Sequence, residues 1–455
     1  MSPARSRGAA AAVAMALLLV AVAMRIWNAG AYPTGFGYDE IQHWRYQERL
    51  QTSWALPAPD ADWSTAHPPL YHYAAAVLIR TLGQPSATVA MFPIRVAGAA
   101  AGVAAAWMAV LLVRRVDPGR PERALLAGAL VLFLPAHVVM SAMMNEEILA
   151  SALTSLSVAL VAMDLAAREV SPGTRRMAFG AGVAAGLAWL TKLSGAVAAF
   201  AGAGAYALAG LRLGQRGPGF ALAGLVLASA LVAGGWFYAR NLWSYGYIYP
   251  HDLPVHARMH TMPPGERRPL DYLRFPVATF TDPQALNPDL LRSVWGTTWA
   301  GLFFDAQRHF LPRESPAVTR AGTLLLVLAL LPTAAFLIGA ARGAGRVLRG
   351  ASGADLPLLL LVAGTLAGYV LFTWRNPWFA AVKGSYLLGL VVPYGFYASE
   401  VLAAWTAGAG VRAWATRLGL AAFAIGVIVC FTFGDHLWSF EHLEFPGMRW
   451  KPVRP

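Results

Sequence analysis

The chain has 455 residues, of which 57% are hydrophobic and only 13% are charged, whereas a soluble globular protein carries about 25% charged residues. So few charges cannot cover a solvated surface, which excludes a soluble globular protein. The net charge of +13 does not indicate nucleic-acid binding, because Lys and Arg form short clusters between apolar blocks, as in membrane proteins.

The first apolar block follows two basic residues, Arg5 and Arg7, and covers about Ala9–Trp27. This order resembles a signal peptide, but no small-residue cleavage site follows the block. We therefore predict a retained first transmembrane helix that is anchored at the interface by Trp27.

Further blocks of this kind recur along the chain, and most approach the length of about 20 residues that a bilayer of about 30 Å requires of a helix. Helices are favoured over strands because each block satisfies its own backbone hydrogen bonds. The blocks lie at Phe92–Val113, Ala124–Met144, Ile148–Ala167, Met177–Leu190, Gly195–Leu211, Phe220–Tyr238, Ala321–Ala341, Leu356–Thr373, Ala381–Trp405 and Leu418–Phe433. The sequence predicts an all-α polytopic membrane protein with about eleven spans (range roughly 10 to 13) in a single membrane-embedded domain over residues 1–455.

Clustered basic residues between the blocks predict the orientation of the chain, because cytoplasmic loops are rich in Lys and Arg. These clusters are Arg114–Arg123; Arg168, Arg175 and Arg176; Arg212 and Arg216; Arg342, Arg346 and Arg349; and Arg412 and Arg417. A short block, Leu70–Leu82, either spans the membrane or lies along the interface. Only the interfacial position keeps all the basic clusters on the side of Arg5 and Arg7, so we predict it. The N-terminus is then cytoplasmic, and residues 28–91, residues 241–319 and the tail from Gly434 to Pro455 are outside.

Two acidic pairs fall at the predicted outer face. Asp39 and Glu40 follow the first span directly, which would also suit the solvated start of a helix. Glu146 and Glu147 follow Asn145 between two spans with almost no loop. Acids held at the bilayer boundary are costly unless they serve a cavity or a partner. The alternative for this second pair is a plain hairpin turn.

An aromatic stretch and four basic residues accompany these acids. His67-Pro68-Pro69-Leu70-Tyr71 is typical of an interfacial helix start with an aromatic belt, and it would also suit substrate contact. Lys192, Arg240, Arg375 and Lys383 lie at predicted outer helix ends, where cations are disfavoured. Each alone could snorkel to the interface. Together they indicate a shared anionic ligand such as phosphate.

Carboxylates and cations beside a membrane are the groups needed to transfer a group from a lipid-linked phosphate. Carboxylates can act as a base or hold a cation, and the basic residues can hold the phosphate. A transporter or flippase for an anionic lipid or solute is the alternative, although no internal repeat is visible. A non-catalytic assembly subunit is a third reading, and it would not need the acids.

At these motifs the sequence resembles the membrane glycosyltransferases of GT-C type, specifically the bacterial branch related to protein O-mannosyltransferases and aminoarabinose transferases. The matching features run as far as about Tyr394. They are Asp39-Glu40, His67-Pro68-Pro69-Leu70-Tyr71, Asn145-Glu146-Glu147, Thr191-Lys192-Leu193-Ser194-Gly195, the stretch Trp236–Gly246, Ser293-Val294-Trp295-Gly296 and Lys383-Gly384-Ser385-Tyr386. Two positions depart from the family pattern: the second acid is often Asp and is Glu147 here, and the late motif often carries Arg where Ser385 stands.

The resemblance implies a polyprenyl-phosphate sugar as donor, inversion at the anomeric carbon and Asp39 as base. It also implies a bacterial plasma-membrane location, and a glycan, lipid or protein as acceptor. Mg²⁺ or Mn²⁺ would be held by Asp39 and Glu147 if the enzyme uses a metal. The predicted residues are Asp39, Glu40 and Glu147 for catalysis; Arg240, Lys192, Lys383 and Arg375 for the donor phosphate; and His67, Tyr71, Asn145, Glu146, Asn241 and Tyr386 for the substrate.

Overall fold

A computed structural model describes residues 3–167, 171, 173–250, 252–311, 315–351 and 353–434. Within these residues the chain is helical and contains no β-strand, which confirms the predicted all-α fold class. The first nine helices are α1 (Pro3–Ala31), α2 (Glu40–Ser53), α3 (Leu70–Thr81), α4 (Ala87–Val116), α5 (Pro121–Leu132), α6 (Pro135–Ala142), α7 (Glu147–Ala166), α8 (Arg175–Thr191) and α9 (Ala196–Arg212). The rest are α10 (Arg216–Ala230), α11 (Trp236–Tyr245), α12 (Ala278–Thr281), α13 (Pro288–Leu291), α14 (Val294–Phe303), α15 (Pro316–Leu348), α16 (Asp355–Arg375), α17 (Val391–Thr406) and α18 (Val411–Phe431).

Every predicted apolar block overlaps one or more of these helices. In the described part of the chain, 8 helices are long and apolar enough to cross a membrane, or up to 9 if a bent pair is counted as one span. The bent pair is α5 and α6, which meet at an angle of 58°. Pro135 begins α6, and a proline favours such a break because it cannot donate the helical hydrogen bond.

The bundle exposes large apolar side chains on its helices. Phe200 on α9 is 68% exposed, and Val232, in the π-helical turn Leu231–Gly235 between α10 and α11, is 82% exposed. Exposed apolar surface of this kind on long apolar helices is suited to lipid and not to water. The chain is therefore a multi-pass membrane protein.

Helix α3 contains the block whose position was ambiguous in the sequence. It has 12 residues, which corresponds to a length of about 18 Å and is too short to cross a bilayer core of about 30 Å. It packs against α2 and contacts α8. These features favour the interfacial position that was predicted for Leu70–Leu82.

Several of the basic loops meet at one end of the bundle. Arg123 pairs with Asp117 at 3.0 Å and lies 3.9 Å from Glu400. Arg346 pairs with Asp355 at 2.7 Å and with the same Glu400 at 3.1 Å. The acidic pairs lie at the opposite ends of the helices that these loops join. Arg168 and the tail beyond Gly434 fall outside the described residues.

Candidate active site

Asp39 stands at the start of α2 in an uncommon backbone conformation. Its φ is 52° and its ψ is 21°, in the left-handed region, which Asp tolerates better than most residues. The side chain is half-buried and does not cap the helix. Within the described residues, its carboxylate accepts no hydrogen bond. A strained residue with an unengaged carboxylate is typical of a functional site.

Glu40, the next residue, is held quite differently. It is 1% exposed, and its carboxylate pairs with Arg95 of α4 at 2.8 Å. It also accepts hydrogen bonds from the backbone N–H of Gly35 at 2.7 Å and of Met144 at 3.1 Å. Glu40 therefore links the segment before α2 to α4 and to the turn that carries the second acidic pair.

That turn lies between α6 and α7, and Asn145 shapes it. The Asn145 side-chain amide donates to the carbonyl oxygens of Met140 at 2.8 Å and Met143 at 3.1 Å. Its side-chain oxygen accepts from the backbone N–H of Glu147 at 2.9 Å. Glu147 thereby begins α7, where the helix dipole favours a negative charge. Its carboxylate forms an ion pair with Lys192.

Lys192 and Lys383 approach the same tyrosine. The Lys192 Nζ lies 4.5 Å from the centre of the Tyr386 ring, and the Lys383 Nζ lies 5.7 Å from it. Lys383 also lies 4.5 Å from the ring of Tyr38, and it is close enough to Asp39 and Glu147 to interact with their charges. In the described part of the chain Lys383 has no ion pair with a carboxylate. It is thus a partly buried cation without a carboxylate partner among these residues, which suits it to bind an anionic ligand.

Two glycines explain why the lysine motifs have their sequences. A Cβ on Gly384 would lie 2.2 Å from the backbone N of Leu302, so only glycine lets the chain beside Lys383 pack against α14. A Cβ on Gly195 would lie 2.2 Å from the carbonyl carbon of Ala188. That close approach allows the chain to fold back directly after Lys192. Both glycines fix the backbone next to a lysine of the cluster.

His67 and Glu146 belong to a buried group behind the lysines. His67 Nδ1 lies 3.3 Å from Glu146 Oε1, and His43 Nε2 lies 3.1 Å from Glu146 Oε2. His72, on α3, completes the group, and the ring centres of His43 and His72 are 5.2 Å apart. Tyr71 packs edge-on against both of these rings. His67, Tyr71, Asn145 and Glu146 are therefore neighbours.

Burial and the neighbouring charges together set the protonation of this group, and for His67 burial lowers the pKa but Glu146 outweighs it and raises that pKa. Burial lowers the pKa of His43 and lowers that of His72 more strongly, which favours neutral imidazoles. Burial acts to raise the pKa of the Glu146 carboxyl, but His43, His67 and Lys192 outweigh it and hold that pKa well below its ordinary value. Glu146 is therefore a carboxylate at neutral pH.

Arg240 has a set of contacts different from those of the lysines. Its guanidinium donates to the Leu56 carbonyl oxygen at 3.4 Å and to the Tyr245 hydroxyl at 3.2 Å. It also donates to the side-chain oxygen of Asn241 at 3.3 Å. Arg375 is exposed at the last residue of α16. Among the described residues, no hydrogen bond, ion pair or ring contact joins Arg240 or Arg375 to Lys192 or Lys383.

Sequence reasoning missed four residues of the site: Tyr38, His43, His72 and Arg95. Tyr38, His43 and His72 lie within three residues of the motifs Asp39-Glu40 and His67–Tyr71, and three histidines within residues 43–72 were a usable signal. Arg95 gave less warning, because a single arginine near a helix end is ordinary. The motif Ser293-Val294-Trp295-Gly296 has a local role, since the Ser293 hydroxyl caps α14 by accepting from the Gly296 N–H at 3.1 Å.

Comparison with protein families gives one match over part of the chain. Residues 66–236 match the model of a family described as dolichyl-phosphate-mannose-protein mannosyltransferase. This segment includes the His67 motif, the second acidic pair and Lys192. A search of curated proteins finds no significant match.

Solved structures resemble the chain over most of its length. The apo oligosaccharyltransferase of Archaeoglobus fulgidus has a TM-score of 0.52 and 15% identity, covering 94% of this chain and 55% of that one. AglB from the same organism, with an inhibitory peptide and a dolichol-phosphate, has a TM-score of 0.52 and 14% identity, over 92% and 55%. Apo ArnT from Cupriavidus metallidurans has a TM-score of 0.51 and 16% identity, over 93% and 76%.

These likenesses show the fold. The chain spans about half the length of the archaeal structures that it matches, at 55% of each. The predicted resemblance to the membrane glycosyltransferases of GT-C type is confirmed by the family model and the shared architecture.

Proposed function

We propose that this membrane protein of GT-C type is a glycosyltransferase that transfers a sugar from a polyprenyl-phosphate donor to an acceptor hydroxyl. The proposal rests above all on one observation. Lys192 and Lys383 flank the Tyr386 ring, and Lys383 interacts electrostatically with both Asp39 and Glu147. Cations for a phosphate and carboxylates for a base are thus gathered at one end of a lipid-facing bundle.

A lipid-linked donor fits the comparisons as well as the charges. The description of the matched family names dolichyl-phosphate-mannose, and the AglB structure contains a dolichol-phosphate. For this chain a long lipid tail would be held among exposed apolar helices, with its phosphate at the lysines. The acceptor is a glycan, a lipid or a protein.

In the proposed reaction, Asp39 accepts the proton of the acceptor hydroxyl while that oxygen attacks the sugar C1. The bond between C1 and the phosphate oxygen breaks, and the polyprenyl phosphate leaves with the bonding electrons. Attack from the side opposite the leaving group inverts the anomeric carbon. Lys383 and Lys192 stabilise the negative charge that develops on the phosphate. Glu147 holds Lys192 and orients the acceptor.

A divalent cation at Asp39 and Glu147 was predicted as an option, and the two carboxylates suit it unequally. The Asp39 carboxylate is free of hydrogen bonds within the described residues, but Glu147 is already paired with Lys192. A cation there would have to displace the lysine. The proposed mechanism therefore assigns the charge stabilisation to the lysines and routes no step through a metal.

The charge pattern supports the proposed orientation, and the resemblance to the bacterial enzymes supports the proposed location. The basic loops meet at the end of the bundle opposite to the acids, and basic loops are normally cytoplasmic. We place the site at the outer face of a bacterial plasma membrane, with the N-terminus inside. Glu40 has a structural role at this site and positions the neighbouring segments, because its carboxylate binds Arg95 and two backbone amides.

Replacing Lys383 tests the phosphate assignment. Lys383→Met keeps most of the side-chain volume and removes the charge, and we expect kcat/KM for the lipid donor to fall by about 10²-fold. The measurement is sugar transfer in reconstituted vesicles over a range of donor concentrations.

The matched control is Arg320→Met, since Arg320 is an exposed cation in the first turns of α15 and, among the described residues, donates its hydrogen bond to the Pro316 carbonyl oxygen of its own helix. Its transfer kinetics should equal those of the wild type. Wild-type kinetics for a folded Lys383→Met variant would remove Lys383 from the donor site. Arg240→Met and Arg375→Met, measured in parallel, show whether these two arginines also hold the donor.

A further inference from the structure

We propose that His43, His67, His72 and Glu146 form a metal site that binds Zn²⁺ and joins α2, α3 and the turn before α7. The four residues come from three separate segments of the chain. Each offers one ligand atom, and these atoms all lie within 4.8 Å of one another. The proposal is independent of the sugar-transfer reaction and concerns how the site is held together.

The environment of the histidines is the first reason. His72 is completely buried, and neither ring nitrogen has a hydrogen-bond partner among the described residues. His43 is 2% exposed, and its Nε2 points at the Glu146 carboxylate. A buried polar atom without a partner costs about 1–3 kcal/mol. A cation bound by the imidazole nitrogens would remove that cost.

The ligand chemistry is the second reason. Imidazole nitrogen together with one carboxylate oxygen is a donor set that suits Zn²⁺ and disfavours Mg²⁺ or Ca²⁺, which prefer oxygen. Tetrahedral zinc at about 2.0–2.1 Å from its ligands would place the four donor atoms about 3.4 Å apart. The observed group, with its ligand atoms within 4.8 Å of one another, has to contract by about 1.4 Å at its widest, which side-chain rotations can supply.

The location is the third reason. Asp39 begins α2, and His43 lies one helical turn further along the same helix. Glu146 directly precedes Glu147, and Glu146 Oε1 lies 3.8 Å from the Lys192 Nζ. A cation bound to His43 and Glu146 would therefore fix the two predicted catalytic acids relative to each other. The histidines act as positioning residues in this scheme and do not touch the substrate.

The test uses the full-length protein, purified in detergent through a tag that contains no histidine. Elemental analysis after dialysis against EDTA should find about one zinc per chain, as for a structural site with four protein ligands. X-ray absorption at the zinc edge should show imidazole and oxygen ligands. Because this measurement uses only the wild type, it does not depend on any variant folding. Less than stoichiometric zinc, both as purified and after incubation with ZnCl₂, would overturn the proposal.

A variant and its control locate the cation. His72→Phe removes both ring nitrogens and keeps an aromatic ring stacked on Tyr46, whose ring centre is 4.1 Å away. We expect this variant to lose most of the zinc.

His256→Gln is the control, because His256 bonds to the Trp63 carbonyl oxygen outside the group, and it should keep the zinc. Full zinc content in folded His72→Phe would contradict the assignment, as would iron or manganese at the same ratio in the wild type. Metal content is measured without any transfer assay. Absence of zinc would therefore not contradict the proposed sugar transfer, and absence of sugar transfer would not contradict the proposed zinc site.

Discussion

Asp39→Asn is expected to lower sugar transfer by at least about 10²-fold, the usual contribution of a general base. The substitution is nearly isosteric, and the Asp39 carboxylate makes no side-chain hydrogen bond within the described residues. Asn also tolerates the left-handed backbone conformation found at this position, with its φ of 52°. The amide cannot accept the acceptor's proton, so kcat should fall while the thermal stability stays at the wild-type value.

The measurement is the initial rate of transfer in reconstituted vesicles, together with the unfolding temperature in detergent. Glu48→Gln is the matched control, since Glu48 is an exposed acid on the same helix and accepts a hydrogen bond from Trp44 Nε1 at 2.7 Å. It should leave both quantities unchanged. Transfer at the wild-type rate by purified Asp39→Asn would show that another group is the base.

Arg95→Met is expected to give the largest loss of stability. It leaves the Glu40 carboxylate, which is 1% exposed, with two backbone amides and no counter-charge. Removing one partner of a buried ion pair typically costs about 3–5 kcal/mol. We therefore expect a clearly lower unfolding temperature and a poor yield of folded protein.

A second substitution separates the ion pair from simple loss of packing. Arg95→Met combined with Glu40→Gln removes the uncompensated charge, so it should recover part of the lost stability. Arg45→Met, an exposed arginine on α2, serves as control and should unfold like the wild type. An Arg95→Met variant as stable as the wild type would contradict the anchoring role of Glu40. Equal losses in the single and double variants would contradict it too.

The adjacent acids Asp39 and Glu40 thus have opposite expected phenotypes. Asp39→Asn should impair the rate and spare the fold, whereas disturbing the Glu40 pair should impair the fold. The structure treats the two acids differently. Asp39 has a left-handed backbone, and its carboxylate makes no hydrogen bond within the described residues, whereas the Glu40 carboxylate pairs with Arg95. In the sequence the two residues were assigned the same catalytic role.

The helices were predictable because their signal is local. Long apolar blocks identify membrane helices from composition alone, and the basic loops separated the block Leu70–Leu82 from them. The length of α3, 12 residues, favours that separation. The bend of 58° between α5 and α6 was not foreseen, although Pro135 lies at the break. A block that is apolar throughout carries no pattern that distinguishes one straight span from two short helices.

The site was only partly predictable, because its contacts join distant parts of the chain. Glu40 and Arg95 are 55 positions apart, and no periodicity links them. The argument that cations are disfavoured at that face selected Lys192, Lys383 and Arg240 together. Lys192 and Lys383 approach the same Tyr386 ring, whereas Arg240 contacts Leu56 and Tyr245. The placement of charges along the sequence indicates at which end of the bundle a charged side chain lies, but it does not indicate which residues that side chain contacts there.

The most direct test of the account is the fate of a lipid-linked sugar in vesicles that contain only the purified wild-type protein. The vesicles would be supplied in turn with polyprenyl phosphates carrying labelled mannose, glucose, arabinose or aminoarabinose, together with a membrane extract as acceptor. The account predicts that at least one of these donors is cleaved, that its label appears in an acceptor and that free polyprenyl phosphate accumulates. Transfer from a nucleotide sugar in place of the lipid donor would contradict it. Movement of the intact lipid across the bilayer without cleavage of the sugar–phosphate bond would contradict it equally.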